Sequence, residues 1–193
     1  MSFDALPATA AWDHRYARNG FEVVFLRPRG GGYELQGHTS AVEAGEVWAV
    51  RYSIAVDQKW RTRRTHVVGR SRHGDHEVLL EHDGGGEWLV GEVSAPQLRG
   101  CLDIDLESSA LTNALPVHRL ALREGECADS PAAYVRALDL AVERLEQSYL
   151  RVEDDGEHQR FDYAAPVFGF GCRLVYDRHG LVLEYPGLAV RRH

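Results

Sequence analysis

The feature that most constrains this chain is a two-residue alternation of apolar and polar side chains in several short segments. From Val47 to Asp57, apolar residues occupy every second position and Arg51 lies on the opposite side. The alternation recurs from Phe168 to Tyr176, with Gly169 and Gly171 on the opposite side. Because successive side chains of a strand point to opposite faces, each segment predicts a strand with one buried face. The glycines indicate a strongly curved strand. In the first segment the predicted buried residues are Trp48, Val50, Tyr52, Ile54 and Val56.

Glycine-rich turns separate these apolar segments. Three of them, Pro28–Gly32, Asp83–Gly86 and Asp177–Gly180, each lie between two strand-like segments and predict hairpins. Many short strands at this spacing predict a barrel, a sandwich or a roll. The sequence shows no repeat, linker or low-complexity segment, so we expect a single domain over residues 1–193.

Two segments have helical features. We expect one or two helical turns from Ser109 to Leu115, ended by Pro116, because the residue before a proline avoids helical backbone. The segment from Ser130 to Leu150 begins with Ser130 and Pro131, residue types that are typical of a helix N-terminus, and carries apolar residues at helical spacing. Propensity alone therefore favours a helix there.

Composition narrows the classes of function. The chain has 193 residues, a formal net charge of -7 and three widely spaced cysteines. An acidic chain disfavours nucleic acid as a partner. The cysteines fit neither a disulfide framework nor a zinc motif, which is typical of a reducing compartment. We expect no transmembrane segment, because no stretch approaches about 20 apolar residues. The N-terminal residues lack the features of a signal peptide, so we expect a cytoplasmic protein.

Two aspartates could carry acid–base chemistry. Asp103 and Asp105 alternate with apolar residues, which places both on one face of a predicted strand, about 7 Å apart. Paired carboxylates serve hydrolysis or metal binding. The favoured interpretation is a polar face whose carboxylates pair with arginines. A small hydrolase or isomerase using Asp103 and Asp105 stays open as an alternative.

A local group of potential metal ligands surrounds the predicted strand Glu77–Glu81. Zinc needs three or four ligands that converge on one point, whereas these residues lie in or near turns. We therefore expect a solvated loop, with no bound metal and no cofactor. The group comprises His73, Asp75, His76, His82 and Asp83.

A basic segment runs from Lys59 to Arg72 and contains Trp60. It fits either a cradle for an anionic head group or a sheet face whose arginines pair with acidic residues. Nucleic acid is disfavoured, because the sequence offers no recognition helix and no aromatic stacking motif.

Several motifs in one order resemble a known family. From about Trp12 to Arg192, the chain is similar to the bacterial family of putative glycolipid-binding proteins. The matching segments are Asp57–Arg63, Asp83–Trp88, Gly100–Leu106, Leu111–Pro116, His118–Leu120 and Gly180–Leu188.

The resemblance implies a fold of mainly β class, a spiral β-roll in which a long antiparallel sheet is wrapped around a single short α-helix. Ser109–Leu115 is then the candidate helix. The family has strands where this chain has Ser130–Leu150, although Ala137 and Arg144 replace its prolines. We therefore predict strands in that segment.

The resemblance also implies a noncatalytic protein that binds a lipid or glycolipid. We expect Trp60 and Trp88 either to stack on sugar rings or to line the mouth of the site, and Arg61 and Arg63 to meet a phosphate or carboxylate. The remaining candidate ligand-binding residues are Asp103, Asp105 and Arg119. A third alternative is a module for protein interaction, including a homodimer. The apolar face within Val47–Asp57 either holds an acyl chain or packs on the helix, and we favour packing.

Overall fold

The computed structural model describes residues 3–192, and within that range the chain forms seventeen β-strands and one α-helix. The helix is α1 (Ala114–Leu120), preceded directly by a 3-10 turn at Leu111–Asn113. The strands are β1 (Thr9–His14), β2 (Asn19–Arg29), β3 (Gly32–Glu43), β4 (Glu46–Val56), β5 (Thr62–Ser71), β6 (Gly74–His82), β7 (Trp88–Val90), β8 (Val93–Ser94), β9 (Asp103–Leu106), β10 (Cys127–Asp129), β11 (Ala132–Val135), β12 (Val142–Leu145), β13 (Ser148–Val152), β14 (Gln159–Ala165), β15 (Phe170–Tyr176), β16 (Val182–Tyr185) and β17 (Ala189–Arg192).

Fourteen of these strands form one antiparallel sheet in the described part of the chain, in the order β10-β13-β14-β15-β16-β17-β1-β2-β3-β4-β5-β6-β7-β8. Most neighbours are also consecutive in sequence, and the pairing of β17 with β1 joins the two halves. A second sheet has the order β12-β11-β9, in which β9 is parallel to β11. The prediction of a mainly β chain with a long antiparallel sheet and one short helix is confirmed.

The alternation correctly located the central strands. All five apolar residues predicted to be buried in β4 are at most 5% exposed, while Arg51 lies on the solvent side. The second alternating segment was placed too early, because Pro166–Phe168 form a 3-10 turn and β15 begins only at Phe170. The proline sets the backbone for this turn, and Gly169 closes it with a left-handed φ of 57°.

All three predicted hairpins are present. The turn after β6 is held by Asp83, whose carboxylate accepts the N–H groups of Gly85, Gly86 and Glu87 at 2.6–3.1 Å. These bonds lower the pKa of Asp83. Asp177 organises the turn before β16 in the same way. In both turns the local signal is an aspartate at the first position and a glycine three residues later.

The helix differs from its prediction. It runs to Leu120, so Pro116 does not end it but lies in its first turn. A missing N–H costs little at that position, because the first N–H groups of a helix have no partner within it. The helical segment begins where the buried carboxylate of Glu22 accepts the N–H of Ala110 and the hydroxyl of Ser109.

The core surrounds this helix. Leu111, Ala114 and Leu115 pack in a large cluster with inward side chains of β1 to β7. Val117 packs in a second cluster with side chains of β11 to β16. The helix therefore contacts both halves of the sheet. The β4 face packs in the first cluster, as predicted, rather than lining a free surface.

The segment from Ser130 to Leu150 forms strands β11, β12 and the start of β13, as the resemblance implied. Its helical spacing of apolar residues is interrupted by a turn, in which Leu140 has a φ of 55° and Arg136 N–H bonds to Ala141 O. Parallel pairing with β9 outweighs the helical propensity.

In the part of the chain that the structure covers, no helix has the length and apolarity needed to cross a membrane.

Candidate functional site

The structure separates the two predicted aspartates. Asp103 is fully buried, and both its oxygens accept hydrogen bonds from Arg119, the shortest at 2.6 Å. Ser130 adds a further bond to Asp103 at 2.9 Å. The expected pairing with an arginine is found for Asp103, whose partner is Arg119, whereas Asp105 bonds to Thr112. Asp103 and Arg119 thus tie β9 to α1 and have little capacity left for a ligand.

Asp105 has a different environment. Its carboxylate accepts a hydrogen bond from Thr112 at 2.8 Å and lines a cavity described below. Burial, together with the nearby carboxylates of Asp103 and Glu107, raises the pKa of Asp105 to about 6. Only one of the paired aspartates therefore faces a space that a small molecule can enter.

Trp60 lies in the loop between β4 and β5 and adopts a φ of 61°. Its ring stacks on His118 at 3.8 Å and on Tyr33 at 5.2 Å. These three residues line a cavity of about 300 Å³ near the end of α1. Burial lowers the pKa of His118 to about 4, so its ring is neutral in this stack.

The other predicted ligand-binding residues line neither the cavity beside Trp60 nor the cavity beside Asp105. Arg61 donates to Gly84 O at 2.6 Å, and the guanidinium group of Arg63 lies against Gly84. Trp88 is buried and donates to Cys101 O at 2.9 Å. We had expected Trp88 to stack on a ligand, but it stacks on His82 in the core.

The exposed arginines of the basic segment pair with acidic residues on neighbouring strands. Arg70 makes a two-bond contact with Asp75, and Arg72 pairs with Glu46. Arg64 lies 3.8 Å from Glu81. This face matches the interpretation in which the arginines offset the acidic surplus.

Among residues 3–192, no group of three or more His, Cys, Asp or Glu side chains is arranged to hold a metal ion. His82, one of the residues considered for metal binding, contacts Thr62 O at 2.6 Å and accepts from Gly86 N–H at 2.9 Å. Burial lowers the pKa of His82. One ring nitrogen of His82 therefore contacts the start of β5, and the other accepts from the turn that follows β6.

The aromatic cavity, as we call it, is the site that the structure favours. It has a volume of about 360 Å³, within the usual range of small-molecule sites. Segments from distant parts of the chain contribute to it, including the turn after β1, β9, β11 and the turn after β16. Its aromatic walls are Tyr134, Tyr163, Phe168, Phe170 and Tyr185, and its ionisable residues are His14, Arg18, Glu43, Asp105, Glu107, and Arg136.

The aromatic rings of the cavity form two groups of contacting side chains. Phe170, Tyr163 and Tyr185 lie within 6.3 Å of each other, centroid to centroid. Tyr134 packs against Phe168, and Arg136 lies over both rings. Burial raises the pKa values of the three tyrosines, so their hydroxyls stay protonated. The hydroxyl of Tyr163 donates to the side chain of Gln147 at 2.9 Å.

Opposite charges balance within the cavity. Arg18 lies 3.9 Å from Glu43, and Arg136 pairs with Glu107 at 3.8 Å and with Glu143 at 3.4 Å. Arg18 also donates to the carbonyl of Glu107 at 2.6 Å. The two arginines are therefore already neutralised by carboxylates of the protein.

Of the residues that line the aromatic cavity, only Asp105 was predicted from the sequence to bind a ligand. Tyr185 and the following Gly187 and Leu188 were noted as part of the family resemblance, and Phe170 as part of a strand. Their convergence had no local signal, since it depends on the pairing of β1 with β17. His14 and Arg18 carried no sequence signal that we used.

The long β-sheet and its aromatic cavity are typical of a mainly β protein that binds a small ligand. The chain belongs to the family described as putative glycolipid-binding, whose model matches residues 9–191. A search of curated proteins gave no match.

Two solved structures resemble the chain over most of its length. One is a DUF1089 family protein from Pseudomonas aeruginosa, which is 29% identical with a TM-score of 0.76 and covers 94% of this chain and 95% of its own. The other is a β-barrel-like protein of domain of unknown function DUF1849 from Brucella abortus. It is 11% identical, with a TM-score of 0.52, and covers 95% of this chain and 92% of its own. This second likeness concerns the fold alone.

Proposed function

We propose that this protein binds a glycolipid without transforming it, with the head group in the aromatic cavity. The observation that carries the proposal is the cavity wall of five aromatic side chains beside several hydrogen-bonding groups. Flat aromatic surfaces suit the apolar face of a sugar ring, while polar residues fix its orientation. The family description supports the same class of ligand.

The mouth of the cavity offers a place for the lipid chain. Phe168 lines the cavity and is 46% exposed, and its neighbour Val167 is exposed as well. Tyr16 is exposed next to the cavity residues Ala17 and Arg18. An acyl chain that covers such side chains gains about 0.8 kcal/mol per buried methylene.

The hydrolase or isomerase alternative is less well supported. It needs two carboxyl groups acting on one substrate, whereas Asp103 is engaged by Arg119 and Ser130. Asp105 alone of the pair lines the aromatic cavity.

The test compares lipid binding by two variants with matched exposure. Phe168→Ala removes an aromatic residue of the cavity mouth that is 46% exposed, while Leu89→Ala removes a similarly exposed apolar residue, at 40%, from β7. Titration with a fluorescent glycosyl diacylglycerol should show weaker binding for Phe168→Ala only. Native mass spectrometry of protein from its own host should reveal a co-purified glycolipid. If the wild type binds no glycolipid with a Kd below about 100 μM, which corresponds to a binding free energy of about 5.5 kcal/mol, the proposal is wrong.

A second candidate function is self-association. Phe21 and Phe25 are exposed on the outer face of β2, with Val23 between them. Such a stripe suits a homodimer interface. Light scattering should then show a dimer that Phe21→Ser dissociates, and a wild-type monomer at high concentration contradicts this candidate.

A further inference from the structure

We propose that His14 and Arg18 select an uncharged, hydroxyl-bearing head group in the aromatic cavity. This inference rests on the proposed glycolipid function and specifies what the cavity recognises. It follows from His14 and Arg18, which both line the cavity and each carry one buried nitrogen, Nδ1 and Nε, that lacks a hydrogen-bond partner among the described residues.

The hydrogen-bonding role of His14 follows from its neighbour. His14 Nε2 lies 3.4 Å from Glu22 Oε2. The carboxylate of Glu22 accepts hydrogen bonds from the hydroxyl of Tyr52 at 2.6 Å and from the N–H of Ala110 at 2.8 Å. Because a carboxylate only accepts, the hydrogen of this contact is on Nε2. The tautomer with its single ring hydrogen on Nε2 presents Nδ1 as an acceptor that has no donor.

Arg18 supplies the complementary group. Its Nη1 donates to Glu107 O, but its Nε lies 3.9 Å from the carboxylate of Glu43, too far for a hydrogen bond. Arg18 is 5% exposed, and no residue between 3 and 192 accepts from Nε. A buried donor without an acceptor destabilises the protein, and a ligand oxygen that reaches it removes that cost.

A hydroxyl group matches this pair, because it can donate to His14 and accept from Arg18. A sugar ring carries several hydroxyls around an apolar ring face, which fits the neighbouring rings of Tyr163, Phe170 and Tyr185. The cavity therefore offers partners for both the hydroxyl groups and the apolar ring face of a monosaccharide.

The charge balance argues against an ionic head group. The positive charges of Arg18 and Arg136 are already offset by Glu43 and Glu107. A phosphate would bring its charge close to these carboxylates. Burial raises the pKa of Asp105 to about 6, which shows that the surroundings disfavour a charged group there.

The test uses three probes with the same chain and different head groups: octyl glucoside, octyl phosphate and octyltrimethylammonium, each below its critical micelle concentration. Calorimetric titration of the wild type should give a Kd for octyl glucoside at least roughly tenfold lower than for the other two. Arg18→Lys retains the charge beside Glu43 but removes Nε. The affinity for octyl glucoside should therefore fall roughly tenfold or more. Arg15→Lys, an exposed residue of the same turn, is the control and should change nothing.

The outcomes separate this inference from the proposed function. If the wild type binds the labelled glycolipid but has the same affinity for all three octyl probes, the inference about the head group is wrong and the proposed glycolipid function stands. Preference for octyl phosphate or octyltrimethylammonium also overturns it, as does unchanged octyl glucoside affinity in folded Arg18→Lys. The head-group comparison needs no variant, so it stands even if Arg18→Lys does not fold. Failure of every lipid probe removes both proposals.

Discussion

The guanidinium group of Arg119 on α1 donates to both carboxylate oxygens of Asp103 on β9, with a closest nitrogen–oxygen distance of 2.6 Å. Ser130 accepts from Arg119 and donates to Asp103, which closes a three-residue network. Asp103 and Ser130 are buried, and the network joins the helix to the small sheet. Its role is therefore to hold the helix in place.

Asp103→Asn should lower the free energy of unfolding by about 3–5 kcal/mol, because it leaves the charge of Arg119 largely buried without its partner. Urea denaturation measures the effect. Asp162→Asn, which breaks the exposed pair with Arg173, should cost at most about 1 kcal/mol. Equal losses in the two variants would contradict a structural role for Asp103.

Asp105 should make stability depend on pH. Burial raises its pKa from 3.8 to about 6, so between these values the folded state binds more protons than the unfolded state. The free energy of unfolding therefore falls as pH rises through this window. Two pKa units correspond to roughly 3 kcal/mol. The stability of Asp105→Asn relative to wild type should grow by up to that amount from pH 4 to pH 7, measured by urea denaturation. A constant difference between the two proteins argues against a buried, titrating Asp105.

His118 should act in the opposite direction. Burial lowers its pKa from 6.5 to about 4, so between these values the unfolded state binds more protons. Stability is present above pH 6.5 and is lost as pH falls towards 4. His118→Gln should reduce this acid sensitivity by up to about 3 kcal/mol. Thermal unfolding from pH 4 to 7 measures it, and an unchanged slope in the variant would show that His118 is not shielded by Trp60.

Alternation was enough to predict β4 and its buried face, because each strand obeys a local rule that the sequence displays. Pro116 did not end the helix as predicted, because a missing N–H costs little in the first helical turn. The start of the helical segment had no local signal either, since it is bound by Glu22, far away in sequence. The aromatic cavity could not be read from spacing either. Its residues meet only after β17 pairs with β1 and β9 pairs with β11. Asp105 was found because its residue type is informative by itself.

The three cysteines should differ in reactivity. All are free, and Cys127 is exposed. Burial raises the pKa of Cys101 to about 11 and that of Cys172 to about 12, which suppresses the reactive thiolate. Iodoacetamide at pH 8 should therefore modify Cys127 first, as intact mass and peptide mapping can show. Rapid modification of Cys101 in the folded protein would contradict its buried position.

Tyr52 reaches Glu22 across an intervening strand. The two residues lie on β4 and β2, and Gly37 on the intervening β3 is the direct partner of Tyr52. The Tyr52 ring passes over Gly37, and its hydroxyl donates to Glu22 at 2.6 Å. A Cβ atom at position 37 would overlap this ring.

Gly37→Ala should therefore displace Tyr52 and break its bond to Glu22. Overpacking in a core costs about 1–3 kcal/mol, and loss of a hydrogen bond to a charged group costs about 1.5–3 kcal/mol. Gly171→Ala on β15 is the matched control, because a Cβ there meets only Tyr163 O at ordinary contact distance. Urea denaturation should show a large loss of stability for Gly37→Ala and little for Gly171→Ala. Tyr52→Phe, which removes only the hydroxyl, should lose less than Gly37→Ala, and an equal loss would assign the whole effect to the hydrogen bond.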